Sequence, residues 1–261
     1  MKFLISLVLV LAVSSAAAEQ CNVQIDTDLH VSPQLLAFYD KDKMLYQIQD
    51  GRHLLVDGKS LELNSAQQEL VMQYDQQVRA LMPEVRDMAL DGIDLAILGV
   101  TTVFDELLGE RNKISAQLQA ELTHLKSDVR RYFDGDVISI NREQKGTPEL
   151  FGQYFETRME RIMETSVQDS IGDILVAVGK ELFASGGDKE SFEERMNHFG
   201  KTLEAQMQTQ STKLEERGLS LCQAAKELDV VENQLRSAVP NIRRLDLIRL
   251  NAASASTAVE I

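Results

Sequence analysis

LYQIQDGRHLLVDGKSLELNSAQQ (residues 45–68) contains the change of pattern that decides the fold. Apolar residues recur with period two in 46–49 and in 54–56, as in strands that bury one face. The Asp-Gly pairs at 50–51 and 57–58 follow these segments, and such pairs suit tight hairpin turns because both central positions need positive φ. The stretch therefore predicts a small antiparallel β-meander.

The period becomes helical at Ser65. Ser65 and Gln68 have the spacing of a capping box, in which two side chains satisfy free backbone N–H groups of the first turn. Pro83 then predicts a break or kink, and Gly109 predicts the end of the apolar stretch 90–108. Because acidic residues interrupt that stretch, we expect it to be the buried centre of a bundle and not a membrane-inserting hairpin.

The rest of the chain continues this helical pattern with one interruption. Residues 137–140 predict a short strand, and residues 148–183 predict a helix. A long amphipathic segment begins at Asp188, with Cys222 just beyond its apolar stripe, and Pro240 ends the helix that follows. The small, polar tail 251–261 is typical of disorder. The apolar stripe of the long segment comprises Phe192, Met196, Phe199, Leu203, Met207 and Leu214.

The N-terminal residues have the three-part layout of a secretory signal peptide. Lys2 is followed by an apolar run of 11 residues at 3–13, and small residues precede a predicted cut between Ala18 and Glu19. A membrane-spanning helix needs about 20 apolar residues, so the run favours cleavage over anchoring. We therefore expect residues 1–18 to be removed, leaving an exported chain without a transmembrane segment.

Charge and cysteine content limit the class of protein. With 27 Lys and Arg against 41 Asp and Glu, the net charge of −14 argues against binding to nucleic acid. Cys21 and Cys222 are the two cysteines, and an exported pair is expected to form a disulfide. Glu19 and Gln20 stand where lipoprotein processing needs small residues, so a lipid-modified Cys21 is not expected.

No sequence pattern identifies a catalytic, cofactor or metal site. Glu194 and His198 lie four residues apart and could share a metal, but a solvated pair is the simpler interpretation without further ligands. The Asp-x-Asp pairs at 26–28 and 134–136 match only part of a calcium loop and suit turns equally. The segment 185–187 lacks the Gly-x-Ser-x-Gly nucleophile elbow and is interpreted as a helix terminator.

Three segments together with the two cysteines resemble a known family. LYQIQDGRHLLVDGKSLELN (45–64), SAQQELVMQYDQQVRALMPEV (65–85) and ALDGIDLAILGVTTVF (89–104), placed between Cys21 and Cys222, are similar to the YggN-like family of Gram-negative periplasmic proteins. The resemblance implies a periplasmic location and retention of the cysteine pair. It implies no catalytic residues, because that family has no established activity.

These observations predict an α+β protein. An N-terminal antiparallel β-meander (19–63) would pack on a helical bundle (64–250), followed by the tail (251–261). The leading hypothesis for function is a non-enzymatic periplasmic protein that binds or scaffolds an envelope protein or a lipid-like ligand through helical grooves. The alternative is a hydrolase with an unrecognised active site. An exposed apolar groove would favour the first, and a cavity with converging polar side chains would favour the second.

Overall fold

The computed structural model of the chain describes residues 22–25, 27–41, 43–109, 112–140 and 189–251, together with six single positions between 157 and 179. The strands are β1 Asn22–Ile25, β2 Asp28–Val31, β3 Leu35–Asp40, β4 Lys43–Gln49, β5 His53–Val56, β6 Lys59–Ser60, β7 Ile138–Ile140 and β8 Ile248–Asn251. The long helices are α1 Ser65–Leu108, α2 Lys113–Phe133 and α3 Lys189–Ala238, and a 3₁₀ turn follows at Pro240–Ile242.

The strands form two separate antiparallel sheets. Six of them pair in the order β6-β5-β4-β3-β2-β7, whereas β1 and β8 pair only with each other in a two-stranded ribbon. Together with the long helices, these sheets confirm the α+β fold class. The segment 64–250, expected to be helical, also supplies β7 and most of β8. Residues 252–261 of the expected tail lie outside the described residues.

Both Asp-Gly turns of the meander form as predicted. Asp50 and Gly51 have φ of 50° and 69°, and Asp57 and Gly58 have φ of 46° and 75°. These left-handed values cost glycine little and aspartate less than most residues. At Gly51 a side chain would also approach α1, since a Cβ there would lie 3.2 Å from Asp75 Oδ2.

Helix α1 begins with a capping box, but one residue earlier than predicted. The Asn64 side chain accepts a hydrogen bond from the Gln67 backbone N–H at 2.9 Å, and the Gln67 side chain accepts one from the Asn64 backbone N–H at 3.0 Å. The prediction of Ser65 and Gln68 was therefore wrong. A tertiary contact favours the observed register, because Gln67 Nε2 also donates to the Ala238 carbonyl at the end of α3, at 2.7 Å.

Helix α1 continues through Pro83 for its full 44 residues, so of the predicted break or kink the break does not occur. Proline removes one intrahelical hydrogen bond, and its neighbours Leu81 and Met82 are buried in the core. That burial stabilises the helix across the lost bond. The predicted end is correct, since Gly109 follows the last helical residue with φ of 89°.

Helix α1 packs against α2 and α3, in antiparallel orientation to each. Toward α2, Asp94 forms an ion pair with Lys126 at 2.5 Å. Toward α3, the end of α1 near Gly99 lies against Met207, whose Cε would be 3.3 Å from a Cβ at the glycine. Among the described residues, no helix has the combination of length and apolar character needed to cross a bilayer.

The hydrophobic core lies between one face of the six-stranded sheet and the helices. Its fully buried large side chains lie on β2–β5, on the inner faces of the helices and on the turn after α3. They are Leu29, Leu36, Phe38, Ile48, Leu54, Tyr74, Ile114, Leu118, Leu228, Leu235, Ile242 and Leu245. This arrangement leaves a gap where the ribbon meets the middle of α1 and α3.

Candidate ligand-binding cavity

An apolar cavity of about 750 Å³ lies between α1, α3, the ribbon and the edge of the main sheet. This volume lies within the range of about 300–1,000 Å³ that is usual for small-molecule sites. The cavity is lined by Val23, Ile25, Leu29, Val78, Leu81, Met82, Val85, Met88, Ile140, Ser211, Leu214, Glu215, Gly218, Leu219, Leu221, Cys222, Ala225, Leu247 and Ile248.

The cavity changes from buried to exposed along α3. At its inner end, the lining residues Ala225 of α3 and Val78 of α1 are both buried. At the outer end, Leu219 is 50% exposed and Glu215 is also exposed. The lining therefore has a dry, apolar inner end and a wetter outer end.

Two polar side chains, Ser211 and Glu215, stand at the outer end of the lining. They are four residues apart on α3 and so share one face of that helix. The Ser211 hydroxyl donates to the Gln208 carbonyl of its own helix at 3.0 Å. Glu215 thus provides a negative charge at the mouth of an otherwise apolar space.

Ion pairs join α1 and α3 beside the cavity. Arg217 Nε lies 2.8 Å from Asp91 Oδ2, and its Nη1 lies 3.6 Å from Asp87 Oδ2. Lys213 Nζ adds a longer contact of 3.8 Å to Asp91 Oδ1. These partly exposed pairs contribute modestly to stability, but they fix the alignment of the two helices that form the walls.

A buried carboxyl group lies about two turns of α3 beyond the inner end of the cavity. Glu232 is 1% exposed, and it accepts hydrogen bonds from the Tyr74 hydroxyl at 2.6 Å and from the Leu247 backbone N–H at 2.9 Å. Burial raises the pKa of Glu232 to about 7, against the opposing effect of these two hydrogen bonds. Burial likewise raises the pKa of Tyr74 well above 10.0.

The same carboxyl group belongs to a set of polar anchors on the segment Leu245–Leu247, which we call the strap because it leads directly into β8. Arg236 Nη1 donates to the Leu245 carbonyl at 3.0 Å and lies 3.3 Å from Asp246 Oδ1. Thr27 Oγ1 donates to the Asp246 carbonyl at 2.8 Å. The strap is therefore held to α3 and to the residues between β1 and β2.

The structure places one of the two predicted disulfide residues in the cavity wall. Cys222 is buried on α3, between Gly218 and Ala225 of the same wall. Cys21 lies outside the described residues, as do Ala18 and Glu19 of the predicted cleavage site. The disulfide and the cleavage site stay predictions at this point.

Those of the weaker metal candidates that the structure describes do not meet in a site. Glu194 and His198 are both exposed on α3, and no group of three metal-binding side chains occurs among the described residues. Asp28 is buried in β2, while Asp134 ends α2 and pairs with Arg86 at 3.1 Å. Asp26, the first residue of the 26–28 motif, and the segment 185–187 lie outside the described residues.

Sequence reasoning missed Glu232 and Tyr74. The signal was present, because Glu232 stands on the apolar face of its helix between Leu228 and Leu235, both fully buried. A carboxyl group at such a position must find hydrogen-bond partners, change its pKa, or both. The partner Leu247 could not be identified from the pattern, since its contact uses the backbone.

Comparison with known proteins agrees with the sequence resemblance. Residues 21–248 match the family described as "Protein of unknown function (DUF2884)". The chain is 24% identical to "Uncharacterized protein YggN" of Escherichia coli strain K12 over 179 residues, which cover 69% of this chain and 73% of that protein. The proteins of the same name from strains O6:H1 and O157:H7 match equally well. No solved structure matches the chain. With most of its length covered by the family match, the chain belongs to the DUF2884 family, and the resemblance to YggN is confirmed.

Proposed function

We propose that this protein is a non-enzymatic binding protein of the bacterial periplasm that holds a single-chain amphiphile in the cavity. The observation that carries the proposal is the cavity itself, at about 750 Å³ with an almost wholly apolar lining. Burying each methylene group of a ligand there would contribute about 0.8 kcal/mol. A chain of ten carbons would thus gain about 8 kcal/mol before the costs of association are subtracted.

The two ends of the cavity support an amphiphile over a wholly apolar ligand. An alkyl chain would occupy the inner end near Val78 and Ala225, where both residues are buried. A polar head would remain at the outer end beside Glu215 and Ser211. Since Glu215 is negative and exposed, the mouth favours an uncharged or cationic head over a carboxylate.

The contacts of the polar residues support a binding role and give no support to the hydrolase alternative. Ser211 uses its hydroxyl hydrogen within its own helix, in a bond to Gln208, so it is not activated by a neighbouring base. Glu232 and Tyr74 form a buried pair with an altered pKa, a combination often found in active sites. However, Glu232 is 1% exposed and both its oxygens have partners, which suits a structural or regulatory role.

The proposal includes export and a disulfide between Cys21 and Cys222. Cys222 is buried in the cavity wall, and no free cysteine occurs among the described residues. The described geometry also supports the pairing. The ribbon spans about 13 Å over four residues. The inner end of the ribbon is held near Glu232. Cys222 lies ten residues before Glu232 on α3, about 15 Å along the helix, which is close to the length of the ribbon. The residue before Asn22 at the outer end of the ribbon is Cys21.

The binding proposal is tested by titrating delipidated protein with the neutral fluorescent probe N-phenyl-1-naphthylamine. We expect a saturable increase in fluorescence with one site per chain, and displacement by dodecyltrimethylammonium at lower concentration than by dodecanoate. Ala225→Leu adds three carbons to the inner end of the cavity and should weaken probe binding about tenfold or more. Ala205→Leu makes the same change at an exposed position of α3 and serves as the matched control.

Two results would contradict the binding proposal. One is fluorescence that rises linearly without saturation, and the other is equal binding by the two leucine variants. The export proposal has its own test, the intact mass of protein released by osmotic shock. A mass that begins at Glu19 supports the cut, and a full-length chain overturns it. A mass two hydrogens below that of the reduced form supports the disulfide, and a chain with two thiols overturns it.

A further inference from the structure

The ribbon covers one side of the cavity without belonging to the main sheet. Val23 and Ile25 of β1 and Ile248 of β8 line the cavity, together with Leu247 just before β8. Within the part of the chain that the structure describes, the main-chain pairing of β1 is with β8 alone, with Ile25 opposite Ile248 and Val23 opposite Leu250. The inner end of the ribbon, at Ile25 and Ile248, can therefore swing outward without breaking any hydrogen bond of the six-stranded sheet, while the proposed Cys21–Cys222 disulfide holds its outer end.

The contact between Glu232 and the Leu247 backbone holds the ribbon at its inner end. Glu232 Oε1 accepts the Leu247 N–H at 2.9 Å, and Oε2 accepts the Tyr74 hydroxyl at 2.6 Å. One carboxyl group thus connects α3, α1 and the residue immediately before β8. Leu247 and Glu232 are both buried, so the connection is shielded from water in the closed form.

We propose that the ribbon is a lid over the cavity and that Glu232 is its latch, so that the protonation of this one carboxyl group regulates ligand exchange. The inference rests on the proposed function, because it assigns a regulator to the same cavity. Lifting Leu247 and β8 opens the side of the cavity that Leu247 and Ile248 line, and it also brings water to Glu232.

The sign of the regulation follows from linkage. In the closed form burial raises the pKa of Glu232 to about 7, while a solvated glutamate has its ordinary value of 4.5. The closed form therefore holds the proton more tightly, and ionisation as the pH rises through 7 favours opening. Three facing groups act on Glu232, namely the Tyr74 hydroxyl from α1, the Arg236 guanidinium from α3 and the Asp246 carboxylate from the strap. Arg236 and Asp246 lie 3.3 Å apart, so their opposite effects largely offset each other.

The test is the release of N-phenyl-1-naphthylamine from the mature, disulfide-bonded protein, followed by stopped flow with excess dodecyltrimethylammonium. Between pH 5.5 and 8 the release rate of the wild type should rise about 10- to 25-fold, as the difference in pKa dictates. Glu232→Gln, which cannot ionise, should release the probe slowly at both pH values. Tyr74→Phe removes a hydrogen bond that favours the ionised form of Glu232. In this variant the increase in release rate should therefore occur at higher pH, although Glu232 itself is unchanged.

Amide hydrogen exchange at Leu247 in ligand-free protein gives a second readout of the lid. Amide protection is compared between the wild type and Glu232→Gln at the same pH. The ratio of wild-type to variant protection should fall about 10- to 25-fold from pH 5.5 to 8. Saturable probe binding with a release rate independent of pH would overturn the lid and leave the binding function intact. Absence of probe binding would overturn the binding function, and a constant protection ratio would then also overturn the lid.

Discussion

Replacing Glu232 by glutamine should remove a defined part of the pH dependence of stability. The carboxyl group has a pKa of about 7 in the folded protein and an ordinary value of 4.5 when solvated. A folded-state pKa raised in this way gives a contribution to stability that is fully present below pH 4.5 and is lost as the pH rises through 7. The difference of about 2.5 units corresponds to about 3 kcal/mol in the free energy of unfolding. Because the group is buried, solvent screening does not reduce this figure substantially.

The assay is urea unfolding, monitored by circular dichroism, of the wild type and Glu232→Gln across a range of pH. The protein carries 14 net negative charges and has an isoelectric point near 4.8, so the useful range begins at about pH 5.5. From there to about pH 8, the wild type should lose about 2 kcal/mol relative to the variant. Subtracting the two curves removes the contribution of all other titrating groups.

The refuting result is a difference curve that stays flat across this range. A curve that rises with pH would refute the reasoning more strongly, because it would mean that the folded protein stabilises the ionised form. The m-value checks the comparison, since a change in slope would show that the variant alters the compactness of the native or unfolded state.

Three other predictions concern the cavity, the helix cap and the mouth. Ala225→Leu should raise the free energy of unfolding of the ligand-free protein by about 2 kcal/mol, because three added carbons fill empty apolar space, while Ala205→Leu should change it by less than about 0.5 kcal/mol in the same urea assay. Asn64→Ala should lower the free energy of unfolding by about 1 kcal/mol and Ser65→Ala should leave it nearly unchanged; the reverse order would contradict the assigned cap. Glu215→Lys should strengthen displacement of the probe by dodecanoate and weaken that by dodecyltrimethylammonium, each about two- to fivefold, and unchanged values would show that the head group lies elsewhere.

Local chemistry in the sequence predicts the first part of the fold well. The two Asp-Gly turns require residues that accept positive φ, and the structure has positive φ at all four positions. The helix end at Gly109 follows from the same conformational freedom. Such features depend on a few neighbouring residues, so they can be predicted without knowledge of the rest of the chain.

Predictions fail where a distant contact decides between two local alternatives. Asn64 and Ser65 are both good N-cap residues, and the contact of Gln67 with Ala238, 171 residues away, favours the first. Pro83 would end an isolated helix, but the burial of Leu81 and Met82 keeps α1 continuous.

The candidate site could be predicted only in part. The sequence pattern singles out Leu214 of the apolar stripe and Cys222 of the predicted disulfide, and both line the cavity. The cavity itself needs β1 and β8 to pair from opposite ends of the chain, with Val23 opposite Leu250, and short strands carry too little signal to specify that pairing. Of the predicted apolar stripe on α3, Phe199 and Leu203 are half-buried, and the side chains of Phe192 and Met196 lie outside those described.

Native mass spectrometry of the protein, isolated from its own cells without detergent, tests the central claim most directly. If the cavity holds an amphiphile, the wild type should carry one non-covalent adduct that organic extraction removes, and Ala225→Leu should lack it while Ala205→Leu retains it. A wild-type spectrum with the bare polypeptide mass alone, or an adduct that persists unchanged in Ala225→Leu, would contradict the assignment of this cavity as a binding site.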